Sequence, residues 1–372
     1  MKIEIQQEDL QSALSLVANV VPAKTTLPIL TCILMEAESD QLKLSATNLD
    51  ISVVTTTEKA TVRDSGRVAV PAAKFFTFVR SLPPGVVIIE EKKGKIWVTA
   101  GKASLEEPSM NAEEFPALPA LAASKALEID AAQISDMVRA TSYAISRDET
   151  RPALMGVLWE IKGQNLTLVA TDAHRLARCQ SRVEWDIPGD RDMIVDTQGL
   201  LHFVRLSEGV EKAQIYIGEN QLSFRIGPTV LHTRLLEGPF PDYGAVIPQN
   251  NDKVLTADRE AFSQAIRRVS ITADRITSQI RLNIASGIME LSATGTDGSH
   301  AEDQIDISYE DEQIEMGFNF SYLQDILKNI RANHVQVSLK DPQSAALFEP
   351  VGEEKEGPNL LCLLMPLRLT SD

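Results

Sequence analysis

The stretch Leu168-Val-Ala-Thr171-Asp-Ala-His174-Arg175-Leu176-Ala177 decides the fold, because the chain carries it three times in degraded form. The first copy is Leu44-Ser-Ala-Thr47-Asn-Leu-Asp50-Ile51 and the third is Leu291-Ser-Ala-Thr294-Gly-Thr-Asp297-Gly298. The threonines are 124 and 123 residues apart, so the 372-residue chain is three copies of one unit. That period far exceeds the roughly 20–50 residues of solenoid repeats, so the copies are domains rather than solenoid turns.

The elements around the motif recur in the same order. Lys2-Ile-Glu-Ile5, Ala126-Leu-Glu-Ile129 and Lys253-Val-Leu-Thr256 open the units as strands. A helix follows each, on Leu10, Leu14, Val17 and Val21, on Ile134, Met137, Val138 and Tyr143, and on Phe262, Ile266 and Val269. Glu8 and Asp9, Asp130, and Asp258 stand at their starts, where the helix dipole favours negative charge. Pro28 and Pro152, 124 residues apart, mark the entry into the next strands, and Ile280-Arg-Leu282-Asn-Ile284 holds that place in the third copy. A second helix covers 74–80, 199–205 and 322–331, and alternating strands close each unit. Phe115-Pro116 and Phe240-Pro241 are the joins, since proline fixes φ and denies a ladder donor. The predicted domains are 1–121, 122–248 and 249–372, of α+β class, each with two helices packed on antiparallel sheets.

Composition narrows the function. Apolar residues make up 44% and charged residues 24%, which suits a globular chain with a sizeable core. The N-terminus lacks a signal-peptide core and no apolar run is long enough to span a membrane, so a soluble cytoplasmic protein is expected. Cys32, Cys179 and Cys362 are scattered, which argues against a disulfide framework and a zinc site. The net charge of −16 opposes a basic face over the whole molecule but leaves room for one basic surface on an acidic body.

The repeats and five motifs together resemble the β sliding clamp of bacterial DNA polymerase III along the whole chain. The motifs are Leu27-Pro-Ile-Leu30, Asp148-Glu-Thr-Arg151-Pro with Gly156-Val-Leu158, Thr171-Asp-Ala-His-Arg-Leu-Ala177, Phe240-Pro-Asp-Tyr243 and Met365-Pro-Leu-Arg-Leu369. The resemblance implies a ring-shaped head-to-tail homodimer of six similar domains, with helices lining the hole and sheets outside. Duplex DNA would thread the hole and the ring would tether polymerases, conferring processivity without catalysis and with neither cofactor nor metal. A sliding tether must not read bases, so it needs a basic lining that meets phosphates loosely. Lys24 and Arg151 match family positions near DNA. Arg80, Arg139, Arg147, Arg205, Arg267, Arg268, Lys328 and Arg331 are further candidates, as they fall in or beside predicted helices. The chain departs from many relatives at Asp196-Thr-Gln198 and at Ala73, where they carry basic residues. That departure motivates a second reading, a diverged paralogue of the clamp.

The resemblance also implies a hydrophobic cleft between the second and third domains. It would receive short linear peptides of polymerase subunits, the clamp loader and repair proteins. Its walls, carried over by motif, are Leu154, Thr171, His174, Arg175, Leu176, Pro241, Val246, Leu363, Met365, Pro366, Leu367 and Arg368. Leucine, methionine, valine and proline suit an adaptable apolar cleft, and Thr171, His174 and Arg175 would fix polar groups at the rim. Ala345 replaces a serine usual near this cleft, and Leu363 stands where valine is common. The dimer contact is expected to join the first domain to the third of the other copy, through the strand of Leu105 and through Ile271 and Thr272. Asp172 and His174 suggest a hydrolase, but the sequence offers them no nucleophile and neither other copy keeps the histidine. A structural repeat protein without nucleic acid is the third alternative.

Overall fold

The structure is a computed structural model of the chain and describes residues 1–122, 125–185, 189–274, 276–352 and 358–369. The first repeat runs β1 (Lys2–Gln6), α1 (Gln7–Ala18), β2 (Cys32–Glu38), β3 (Gln41–Thr47), β4 (Ile51–Thr57), β5 (Ala60–Asp64), β6 (Gly66–Pro71), α2 (Ala72–Ser81), β7 (Val86–Lys92), β8 (Lys95–Ala100) and β9 (Ala103–Pro108). The second runs β10 (Leu127–Asp130), α3 (Ala131–Ser142), β11 (Gly156–Lys162), β12 (Asn165–Thr171), β13 (Arg175–Arg182), β14 (Arg191–Asp196), α4 (Thr197–Leu206), β15 (Lys212–Ile217), β16 (Gln221–Ile226) and β17 (Thr229–Leu236). The third runs β18 (Lys253–Asp258), α5 (Arg259–Val269), β19 (Gln279–Ala285), β20 (Ile288–Thr294), β21 (His300–Ser308), β22 (Ile314–Asn319), α6 (Phe320–Asn329), β23 (His334–Leu339), β24 (Ala346–Val351) and β25 (Asn359–Leu364).

The elements follow the periodicities, with four local corrections, of which the first is that Tyr143 lies one residue past the end of α3. Helix α1 buries Leu10, Ala13, Leu14 and Val17, and Val21 lies beyond its end. Helix α6, capped by the Asn319 side chain, stops at Asn329, so Arg331 lies past it. In β18 the buried residues are Leu255 and Ala257, while Val254 is 41% exposed. Asp258 caps α5 by accepting from the backbone of Ala261 at 2.7 Å, which sets where β18 ends. A period of two then makes Leu255, not Val254, the counterpart of Ile3. A one-turn 3₁₀ helix opens each proline-marked entry, at Pro28–Thr31 and Pro152–Met155, before the strand begins. Proline at the first position lacks a donor that the turn leaves unused in any case.

The chain divides into two compact units: Met1–Ala132 with Gln198–Leu235, and Gln133–Thr197 with Leu236–Asp372. The division cuts the second repeat because ladders run on from one repeat to the next. In the first unit β5-β1-β7-β8-β9 form one sheet. A second continuous ladder runs β10-β15-β16-β17-β4-β3-β2-β6, so β17 of the second repeat pairs with β4 of the first. Helix α1 packs on α2 and on β3 and β4. In the second unit the ladder runs β14-β11-β12-β13-β25-β24-β23-β18, with β25 of the third repeat on β13 of the second. Strands β22-β19-β20-β21 form the other sheet, and α5 packs on α6, β20 and β21.

Both inter-repeat seams are antiparallel and in the same register. Leu231 lies opposite Val53 in the first, and Cys362 opposite Ala177 in the second. Side chains differ between them. Next to the first pair, His232 faces Ser52, with Ser223 2.8 Å from the ring Nδ1 and the Thr47 and Ser52 hydroxyls 2.7 Å apart. All four are buried.

Burial holds the His232 imidazole neutral, pushing its pKa down to about 4. The unfolded chain would take up that proton near pH 6.5, so the folded state loses stability as pH falls from about 6.5 to about 4. Urea unfolding should show a loss on the order of 2–3 kcal/mol from this group across that window. His232→Gln should remove that part of the slope and leave the carboxylate titrations unchanged.

Candidate functional site

The motif that organises the sequence forms the turn between β12 and β13. Ala173 sits in the left-handed region at φ 77°, and the side chains on either side hold it there. Thr171 Oγ1 accepts from the Ala173 amide at 3.2 Å and donates to the Arg175 carbonyl at 2.7 Å. Asp172 Oδ1 accepts from the amides of His174 and Arg175 at 2.9 and 3.0 Å. Short polar side chains that cap their own backbone are the usual makers of such turns. Asp172 therefore serves the loop, and His174 stands exposed beside it.

Arg175 ties this turn to the helices. Its Nε donates to Asp172 Oδ2 at 3.1 Å, Nη1 to Asp325 of α6 at 2.6 Å, and Nη2 to the Tyr143 carbonyl at 2.7 Å. The guanidinium also lies 4.3 Å from the ring centre of Tyr322 and 5.4 Å from that of Tyr143. A planar fork with two carboxylates, one carbonyl and two aromatic faces is a role lysine cannot fill. Arg175 is only 8% exposed. This corrects the expectation that it fixes polar groups at a rim: its donors are committed inward, and it positions the wall rather than forming it. Below it, the Tyr143 hydroxyl donates to Cys362 Sγ at 3.2 Å. Burial pushes the Tyr143 hydroxyl well above its ordinary range and the Cys179 and Cys362 thiols up to about 12.

Successive strand residues face opposite ways, so the neighbours of Cys362 point to the other side of the sheet. There Leu158, Val169, Leu176, Ile194, Ala345, Leu347, Leu361 and Leu363 form one buried cluster, with Ala153, Leu236, Phe240, Tyr243 and Ile247 packed against it. Leu176 and Leu363 lie directly opposite each other across the seam, as a shared wall requires. Thr171 and Leu154 are buried close to the turn and the 3₁₀ entry respectively. Pro241 and Val246 are exposed, Val246 at 58%.

Residues 365–369 do not extend β25. The Met365 amide donates to the His174 carbonyl and the Leu367 amide to the Gly317 carbonyl, both at 2.8 Å. This tail leaves Met365 42% exposed, Pro366 and Leu367 half-buried, and Arg368 exposed. Gly317 permits the close approach, since a Cβ there would stand 2.8 Å from Leu369 Cδ2 and 2.9 Å from the Leu367 carbonyl. A cavity of about 370 Å³ adjoins the cluster, sharing Leu158, Ile194, Leu236, Phe240 and Tyr243 and adding Glu160, Asp192 and Asp242. The Tyr243 hydroxyl donates to the Glu160 carboxylate, and burial with that contact pushes the hydroxyl's pKa up.

Sequence reasoning did not single out as site residues Leu158, Val169, Ile194, Leu347, Leu361, Phe240, Tyr243 and Ile247, which the structure gathers in this cluster. The run Leu360-Leu-Cys-Leu-Leu364 carried a usable signal, because a strand apolar at every position is buried on both faces. One face is the core under the helices and the other is the buried cluster beside the cavity.

The basic candidates Lys24, Arg80, Arg139, Arg147, Arg151, Arg205, Arg267, Arg268, Lys328 and Arg331 are all exposed. The second unit gathers Arg139, Lys328 and Arg331 around one open cleft with His334. Asp136 takes a two-pronged bond from Arg331 at 2.5 and 2.6 Å and one from Arg139 at 3.3 Å. Arg151 is 3.4 Å from Asp148, and Arg268 is bonded to Asp303 of β21, which turns it towards the sheet. Of the dimer candidates, Leu105 is half-buried on β9 and Ile271 is 83% exposed. The Thr272 hydroxyl bonds to the carbonyls of Val269 and Ala293 at 3.1 and 3.2 Å.

The family descriptions that match are the N-terminal domain of the DNA polymerase III beta subunit at residues 1–119, its central domain at 128–242 and its C-terminal domain at 244–367. The chain is 31% identical over 371 residues to the beta sliding clamp of Vibrio cholerae, covering 99% of this chain and 100% of that protein. A crystal structure of the sliding clamp of Pseudomonas aeruginosa bound to griselimycin superposes with a TM-score of 0.92 at 30% identity, covering 99% of this chain and 100% of that one. A C. crescentus beta sliding clamp, with polyethylene glycol in the region assigned there to beta-motif tethering, gives 0.92 at 29% identity and covers 99% of each chain.

Arg175→Lys keeps the charge but loses the fork and the stacking. It should lower unfolding stability by about 2–4 kcal/mol, as removing one member of a buried ionic network does. Urea denaturation checks this; Asp325→Asn, at a half-exposed member of the network, should cost less.

Proposed function

The chain belongs to the DNA polymerase III beta subunit family, the sliding clamps, and from that premise we propose how it performs its work. It is a processivity clamp for DNA replication. Two copies close into a ring around duplex DNA, and polymerase subunits, the clamp loader and repair proteins hold on by short peptides seated in the cleft of the second unit. The domains are 1–121, 122–248 and 249–372, and the ring works in the cytoplasm without catalysing a reaction.

One observation carries the ring. Two seams join consecutive repeats, β17 on β4 and β25 on β13. The corresponding third pair is β9 and β21. Strand β9 is bonded to β8 alone among the described residues, and the residues of β21 that would form a seam are bonded only to β20. Bare strand edges invite pairing, and β9 of one copy on β21 of another, twice over, closes a ring of six domains and pairs both of these edges.

Charge supports the same reading. At −16 the body repels DNA, so what it attracts must be local. Lys24, Arg80, Arg139, Arg147, Arg151, Arg205, Arg267 and Lys328 are long and exposed on helices and adjoining loops, which suits contact with phosphates rather than with base edges. Loose contacts with phosphates hold the duplex without fixing its register, which is what sliding needs.

The cleft supplies the tether. Leu176 and Leu363, from two repeats, face each other in the buried apolar cluster, and Val246 and Met365 are exposed apolar side chains that a peptide could cover. Apolar anchors of a peptide gain by leaving water here, and Met365 can adapt to differing shapes.

On a nicked circular plasmid, after loading by a clamp loader, the protein should stay bound and then run off once the plasmid is linearised. Equal retention on both forms with collapse in salt would remove the ring. Met365→Ala should weaken binding of the cognate polymerase's terminal peptide about tenfold, read by calorimetry, with retention on circles unchanged.

A further inference from the structure

The three-fold repeat fixes the register of a third seam, between β9 and β21, that is not formed among the described residues. Two independent sets of pairings give the equivalences. In the motif hairpins, Thr47 faces Ser52, Thr171 faces Leu176 and Thr294 faces His300. In the closing hairpins, Val98 faces Leu105, Phe224 faces Leu231 and Phe348 faces Cys362. Their next neighbours, Glu106, His232 and Leu363, are therefore equivalent, as are Ser52, Leu176 and His300. His232 does face Ser52, and Leu363 does face Leu176. The remaining pair is Glu106 with His300 of a second copy, beside Leu105 with Ala301.

One row of side chains thus takes three chemistries. At the second seam it is apolar: Leu347, Leu363, Leu176 and Thr171. At the first it is polar and uncharged: Ser223, His232, Ser52 and Thr47, all buried. At the seam between copies it reads Trp97, Glu106, His300 and Thr294. Only that last row places a carboxylate opposite an imidazole.

We propose that Glu106 and His300 form a proton-dependent latch at the seam between two copies, so that the ring holds more tightly when His300 is protonated. The proposal rests on the ring reading given above and adds its regulation. His300 Nε2 lies 2.8 Å from Glu302 Oε1 on its own strand, and Nδ1 lies 3.0 Å from Thr294 Oγ1 on β20. Both ring nitrogens are taken, so Glu106 acts on the charge of the ring across the seam, at the roughly 5 Å Cβ separation of cross-strand pairs. Glu106 is itself held by Lys95 of β8 at 2.5 Å. Ser104 stands opposite Glu302, and the next acids, Asp303 and Glu107, point to the other face, where Arg268 and Lys74 pair with them. Among the described residues, the groups facing His300 are therefore Glu302, Glu106 and, behind Glu106, Lys95.

The sign follows from the charges. An imidazolium between two carboxylates draws the copies together, whereas a neutral ring leaves Glu106 and Glu302 to repel across the seam. The added stability is present below the ordinary imidazole range and lost as pH rises through it. An exposed pair changes one seam by a few-fold, and a ring closes two at once.

The test is the dimer dissociation constant of the full chain, by sedimentation or subunit exchange, at about pH 6 and about pH 8, the range over which imidazole changes charge. The wild type should dimerise about tenfold more tightly at the lower pH. His300→Gln and Glu106→Gln should still dimerise, each with most of that difference gone, and their combination should remove no more than either alone. A wild type equally tight at both pH values, or a His300→Gln variant that keeps the wild-type difference, overturns the latch and leaves the ring. A chain that is monomeric at both pH values at micromolar concentration overturns the ring reading and the latch with it.

Discussion

The rest of the structure depends on where strand edges end. A ladder stops only when its outer backbone groups meet water, a covering element or another strand. Here each repeat is too small a sheet to close on itself, and its edges are met by the neighbouring repeat instead. The ladder from β10 to β6 and the ladder from β14 to β18 each continue across a repeat boundary without a break in antiparallel pairing. This is why compactness does not follow the repeats, and why the second repeat is shared between two units. The repeats behave as links of a sheet rather than as beads on a string.

A shared backbone scheme leaves the side chains free to diverge, and they have done so where the seams lie. The second seam became apolar, and a linker carrying Phe240, Tyr243 and Ile247 packs against its buried leucines. The first seam is polar and closed in, and His232 is kept neutral there by burial. In the first repeat the corresponding apolar cluster, with Ile29, Leu30, Leu34 and Ala69, is capped by Phe115 and Met110, and Met110 bridges to Ala69. One architecture thus yields two buried apolar clusters with different covers, a linker at one and Phe115 with Met110 at the other.

Arg175 shows how the open cleft keeps its shape. Its equivalent in the first repeat is Ile51, an ordinary buried aliphatic. In the second repeat the guanidinium binds the motif turn to α6 and to the end of α3, and that turn carries the carbonyl that receives Met365. The cleft's C-terminal wall therefore hangs on a loop held by a charged network. The sequence pattern showed an arginine beside a histidine and suggested a polar rim. Burial, which no local pattern reports, gave the two neighbours opposite roles.

Much was legible because repetition makes register visible: three threonines at nearly equal spacing, prolines 124 residues apart, and helices with matching apolar faces determined the number of domains, their α+β class and the order of their elements. Local chemistry also carried far, as in Asp258 capping α5. The one-residue misreading of β18 shows the limit, because Val254 and Leu255 are equally apolar and only the helix that follows decides which of them faces inward. Tertiary structure alone decided which apolar strand faces became cleft and which became core, that Arg175 is interior, and that residues 365–369 leave the sheet to rest on Gly317. Those outcomes depend on contacts between residues as far apart as Leu176 and Leu363. A sequence records the periodicity of each strand, but which strand comes to lie beside it is settled only when the edges meet.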